Sequence, residues 1–140
     1  MSAAAILAPL FVQVALTFVL LFWMGGLRVG SVRRRETQVR DIALRQDNWP
    51  PQVTQAGNAF DNQFQLPVLF YVLVILALIL RKADFLFVAM SWVFVTLRIV
   101  HAAIHIRSND IAQRFATYTA GTLVLVAMWI VFALQLLLNI

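Results

Sequence analysis

A chain of 140 residues that is 62% hydrophobic, with a mean hydropathy of +0.85, excludes a soluble domain with an ordinary solvated surface. The lack of cysteine excludes a disulfide, a thiolate metal site and a cysteine nucleophile, and leaves the redox compartment open. The formal net charge of +5 sits mostly in one loop whose sole aromatic is Trp49, so it reads as a membrane-topology signal and not as a nucleic-acid surface.

The apolar residues fall into four blocks, each near the ~20 residues a helix needs to cross a bilayer. The sequence therefore predicts an all-α protein, an integral membrane four-helix bundle forming one domain, with spans at about 3–29, 54–81, 85–106 and 111–138. No internal repeat and no low-complexity tract is visible. The first block, Ala3 to Val29, is not a cleaved signal peptide. Met1-Ser2 offers no basic start, the apolar run is too long, and arginines follow it in place of a small-residue cleavage site. Pro9 is tolerable close to a helix end, and Gly25-Gly26 loosens the far end.

Gly30 to Asn58 is the sizeable polar segment. Arg28 stands at its edge, and Arg33, Arg34, Arg35, Arg40 and Arg45 lie within it, interspersed with Glu36, Asp41 and Asp47. The plain reading is a cytoplasmic loop; a sharper one is an amphipathic segment lying on anionic headgroups. Trp49-Pro50-Pro51 suits an interfacial anchor followed by a rigid turn.

The second span is prefaced by Asn58, Asp61, Asn62 and Gln65. Of these, Asn58, Asn62 and Gln65 share one helical face. Pro67 follows and is expected to kink the helix just past that face. Arg81-Lys82-Ala83-Asp84 forms a tight turn. The third span carries Arg98, His101 and His105 on one face. An arginine within a hydrophobic span is costly and needs a partner; Asp61 and Gln65 are the expected ones. The fourth span opens with Arg114 and Tyr118. The long loop, Arg107 and Arg114 place most arginines on one side, against Arg81 and Lys82 on the other. That side is expected to be cytoplasmic, with both termini opposite. The polar groups then share one half of the bilayer and form a net positive pocket for an anionic ligand.

Plainer readings accompany these. Arg98 also suits a structural clamp between helices, and His101 a hydrogen bond to a backbone carbonyl. His101 and His105 have metal-ligand spacing, but no glutamate or cysteine completes a set, so no metal is expected. A transporter would call for inverted repeats and broken helices, and the sequence shows neither.

Two strings carry a resemblance. Asn62-Gln63-Phe64-Gln65-Leu66-Pro67-Val68-Leu69-Phe70-Tyr71 resembles the second-helix motif of the MAPEG family (membrane-associated proteins in eicosanoid and glutathione metabolism), its bacterial branch above all. Arg98-Ile99-Val100-His101, followed by Arg114-Phe115-Ala116-Thr117-Tyr118, resembles that family's third and fourth helices. The resemblance covers roughly residues 55 to 130. It implies a homotrimer, with glutathione bound between subunits near the cytoplasmic face, and a bacterial inner-membrane location. It further implies that Asn62 holds the peptide, Gln65 faces the glutathione amine, and Arg98 and Tyr118 line the site. His105 stands where a tyrosine often does, and Arg114 matches the family's arginine that stabilises the glutathione thiolate. Asn58 stands where the family's enzymes carry a basic residue, and Gln65 replaces a carboxylate.

Two functions follow from this reading. One is a glutathione-transferase-like or peroxidase-like enzyme that binds glutathione, or a similar anionic ligand, and acts on lipophilic electrophiles from the lipid bilayer. The other is a non-catalytic, lipid-binding or accessory subunit of a larger membrane complex.

Overall fold

The computed structural model describes residues 1–139. Four helical segments are long and apolar enough to cross a membrane, which makes the chain a multi-pass membrane protein. α1 (Ala3–Arg33) is opened by the Ser2 side chain, which accepts from the Ala5 amide. It continues four residues past the expected end at Val29, so Arg33, expected in the loop, is a helical residue like Arg28. Of the expected loop, Gly30 to Arg33 belong to α1 and Pro51 onward to a further helix; between them lies α2 (Val39–Ile42), a single turn too short by itself for an amphipathic segment. At the end of α1 the Arg34 guanidinium, hydrogen-bonded to Glu36 at 2.9 Å, holds that carboxyl below its usual range.

The second crossing is where expectation and structure part. α3 (Pro51–Asp61) gives way to a 3-10 turn at Asn62–Phe64, and the chain restarts as α4 (Leu66–Ile79). Gln65, at φ −98° and ψ −108°, is the joint. Pro67 therefore does not kink a continuous helix. It stands in the first turn of α4, where its missing N–H would have had no helical partner anyway. The break lies in the polar segment itself, whose side chains bond the backbone freed by unwinding or reach neighbouring helices. α4 ends with Arg81 in the left-handed region, φ 56°, and the Lys82 amide donating to the Ala77 carbonyl.

α5 (Phe85–Ile106) and α6 (Ile111–Leu137) complete the bundle. Asp84 and Asp110 cap them, accepting from the Phe87 and Gln113 amides at 2.8 Å each. The short connection between α5 and α6 makes them close antiparallel neighbours, the most extensive packing in the fold. α1 packs against α3, α4 and α5, while α6 packs on α5 and α4. Gln135 of α6 donates to Asp84 at 3.2 Å, tying the end of the last helix to the start of α5.

Two apolar clusters bracket a polar layer. The larger holds Phe70, Leu73 and Val74 of α4, Phe94 and Val95 of α5, and Leu125, Met128 and Phe132 of α6. Phe70 and Phe94 stack with ring centroids 4.7 Å apart. The smaller joins Leu20, Ala59 and Ala102, where small residues let α1, α3 and α5 approach closely. Outward-facing Phe11, Phe18 and Phe22 of α1 are exposed on the lipid side.

Gln13 belongs to the polar layer, although its helix looks generic in sequence. Its side chain is fully buried and donates to Gln63 Oε1 at 2.9 Å, and Gln63, also buried, donates to the Ala59 carbonyl at 3.0 Å. This amide chain stitches α1 to the unwound joint. We predict that Gln63→Leu, which strands the Gln13 amide, lowers stability by about 1–2 kcal/mol in reversible unfolding from mixed micelles. The double variant Gln13→Leu/Gln63→Leu should recover most of that loss. A double variant worse than the sum of the singles would rule out the pairing as the reason.

Candidate functional site

Arg98 is the largest fully buried side chain, at 1% exposure. It lies two and a half turns before the end of α5 and reaches across to the unwound joint, where one of its Nη atoms donates to both the side-chain and the backbone oxygen of Asn62. Neither Asp61 nor Gln65 is its partner. Asp61 lies on the last turn of α3 and is exposed, facing a different cleft. The joint explains the choice: the change from α to 3-10 winding at Asn62 makes its carbonyl and its amide oxygen available to the same donor. Arg98 keeps two buried nitrogens, Nε and the other Nη, without partners. No carboxylate pairs with Arg98 or Arg114 among the described residues.

Asn62 donates in turn to Gln65 Oε1 at 3.0 Å, and the Tyr118 hydroxyl donates to that same oxygen at 3.4 Å. Arg98 also approaches the face of the Tyr118 ring, 5.9 Å from its centroid. A chain of contacts thus runs from α5 through the joint to α6. His101, one turn beyond Arg98, lies 3.1 Å from the Arg114 carbonyl and 3.0 Å from Thr117 Oγ1 through Nδ1. A carbonyl only accepts, so that contact requires the proton on Nδ1 and leaves Nε2 as a buried, unpartnered acceptor. Arg114 is steadied by Asn109, to which it donates at 2.8 Å, with its Nε unpartnered.

These groups surround a cleft of about 550 Å³ lined by Asn62, Gln65, His101, Ile111, Arg114, Phe115 and Tyr118. Asn62, Gln65, Arg114 and Tyr118, all expected at the site, are therefore brought together, with Arg98 behind them. Two expected residues are not. Asn58 lines a separate polar cleft with Arg28, Gln46, Trp49, Thr54, Gly57 and Asp61. The turn at Asn62–Phe64 destroys the helical phase that would have put Asn58 on the face of Gln65. His105 is buried beside His101, ring centroids 5.7 Å apart, and does not line the cleft. Its carbonyl accepts from Gln55 at 2.6 Å, which fastens α3 to the end of α5. His101, read above mainly as a structural residue, does line it. No group of three or more metal-ligating side chains occurs among the described residues.

The arrangement concentrates donors and positive charge around a half-open cleft between apolar rims. It is suited to an anion held at Arg114, with the buried Arg98 adding positive charge from behind Asn62. Because Asn62 carries the buried guanidinium, Asn62→Leu is predicted to cost about 2–3 kcal/mol of stability, more than Arg98→Met, which removes the charge together with its need for a partner. Unfolding of both variants in the same micelles tests this, and the reverse ranking would sink it.

The sequence model described as the MAPEG family matches residues 6–134, nearly the whole chain. Comparison with curated proteins and with solved structures gave no match. With four apolar crossings, an arginine on the third that reaches the polar preface of the second, and a family match over that length, the chain belongs to the MAPEG family.

Proposed function

We propose that this protein is a membrane glutathione-transferase-like enzyme that binds glutathione, or a peptide-like anion of similar size, in the cleft between α4, α5 and α6. The observation that carries the reading is the pair of arginines, Arg98 buried and Arg114 half-buried, with unpartnered donors and no carboxylate to neutralise them. A bound anion would supply the missing charge. Arg114, at the rim, would stand beside the glutathione sulfur. A neighbouring cation favours the thiolate, which is the nucleophilic form. The thiol proton would leave to water, and the sulfur lone pair would form a bond to an electrophilic carbon of a lipophilic molecule dissolved in the bilayer. That step would either expel a leaving group such as halide with its bonding pair or add across an activated double bond whose other carbon then takes a proton from water. Asn62 and Tyr118 would fix the peptide, and Arg98 would hold Asn62 in place.

Ile111 and Phe115 stand 79% and 71% exposed on the cleft rim. In a homotrimer these apolar side chains would be covered by the neighbouring subunit, which would also close the cleft. The excess of arginine at the end bearing the long loop favours placing that end in the cytoplasm, and a bacterial inner membrane fits the same charge rule.

A second reading, a non-catalytic lipid-binding or accessory subunit, draws on one contact. Gln65 Oε1 already accepts from Asn62 and Tyr118, so it is engaged by the protein where a ligand ammonium would need it. Copurification with a stable partner complex and lipid in the cleft would favour this reading.

The decisive assay is conjugation of glutathione to a hydrophobic electrophile by the protein in nanodiscs, with ultraviolet absorbance of the bound thiolate recorded in parallel. Wild type is expected to show both, and Arg114→Ala to lose about a hundredfold in kcat/KM together with the thiolate signal. Wild-type protein with neither signal would reject the enzymatic reading.

A further inference from the structure

At the end of α1, away from the cleft just described, Arg28 stacks over Trp49, its Cζ 5.1 Å from the ring centroid, and donates to Gln46 at 3.1 Å. Gly57 of α3 lies beside it, where a Cβ would stand in ordinary contact, 3.6 Å from the Arg28 Nη2 atom. The stacked pair forms a partition. On one side lies the polar cleft that holds Asn58 and Asp61. On the other is a groove of about 360 Å³, walled by Val29, Val32 and Trp49, with Arg28 and Arg33 bordering it. Val29 is exposed, so the groove opens outward from the bundle.

An apolar trough bordered by guanidiniums at the end of a membrane-spanning helix has the chemistry of one ligand class. We propose that this groove is a specific site for an anionic glycerophospholipid, with an acyl chain against Val29, Val32 and Trp49 and the headgroup phosphate on Arg28 and Arg33. Three observations support it. The groove contains no acidic side chain, so its charge is uncompensated locally. Two cations of the same loop are engaged elsewhere: Arg34 is paired with Glu36, and Arg40 lies 3.8 Å from Asp41. Trp49 supplies an amphipathic ring where chain and headgroup meet, the usual place of tryptophan at a membrane interface. Guanidinium forks bind phosphate oxygens in a directed way that a diffuse basic loop does not. The site stands independently of the glutathione reading, since neither of its arginines lines the cleft between α4, α5 and α6.

The test is native mass spectrometry of the protein released from nanodiscs of equal phosphatidylglycerol and phosphatidylcholine. Wild type should retain phosphatidylglycerol over phosphatidylcholine by about thirtyfold, the preference expected of two guanidiniums at ~1 kcal/mol each. Arg28→Gln, which also removes the stack on Trp49, should lower the ratio at least about fivefold. Arg33→Gln, on an exposed residue whose loss does not threaten folding, should lower it by several fold. Arg40→Gln removes the same charge from the loop but not from the groove, and should leave the ratio unchanged. The proposal is overturned if Arg40→Gln lowers the ratio as much as Arg28→Gln, because attraction would then come from bulk charge. It is equally overturned if Arg33→Gln matches wild type, if wild type shows no preference, or if inorganic phosphate displaces the lipid, which would mark a free-anion site.

Discussion

The candidate site depends on how one buried guanidinium is satisfied. Arg98 is enclosed by protein at a depth where no water can compensate it, and the chain gives it no carboxylate. Its partner is an amide residue at a place where the helix has come apart. A continuous second helix would have spent the Asn62 carbonyl on its own backbone ladder. In the unwound turn that carbonyl accepts from the Gln65 amide at 3.3 Å and from Arg98 as well, and the same turn sets the Gln65 side chain where Asn62 and Tyr118 both reach it. The break, the buried cation and the cleft are therefore one feature seen from three helices. A solution of this kind is expensive in lipid unless every freed backbone group is bonded or enclosed by protein.

Partition of the polar groups follows from the same break. The α3 half of the second crossing is phased to α1, where Asn58 and Asp61 meet Arg28 and Trp49. The α4 half packs on α1 and α6 and stacks Phe70 on Phe94 of α5, while the joint before it faces α5 and α6. Two clefts result where a single uninterrupted face would have given one. They differ in character: the one against α5 and α6 is lined by Arg114, with Arg98 buried behind it, and by no acid, while the one against α1 has amides and a carboxylate beside a stacked Arg–Trp pair. That difference underlies the assignment of the peptide-like anion to the first.

Much was legible from residue order alone. Arg98 announces itself because a charged residue in an apolar block must be partnered, and the strings Asn62 to Tyr71 and Arg114 to Tyr118 carried the family resemblance. Less legible were the partners. Asp61 and Gln65 were reasonable on charge and spacing, yet a change of winding after Asp61 rotates everything beyond it, and no periodicity in the sequence marks that change. Gln13 was missed, although an amide inside an apolar span is itself a signal for a buried hydrogen bond. Pro67 was noticed and misplaced in role, since proline ends one helix or begins another with equal ease and only neighbouring backbone geometry decides which.

By itself the sequence determined the number of crossings, the membrane setting, the family and the identity of the buried cation, because these follow from hydropathy, charge and local motif. Tertiary structure alone decided that Asn62 carries Arg98, that His101 reaches the cleft while His105 and Asn58 do not, and that Gln13 ties the first helix to the joint. The physical reason is phase. Which side chains meet depends on the rotation of each helix about its axis, and a three-residue 3-10 turn resets that rotation without leaving a mark in composition or hydropathy.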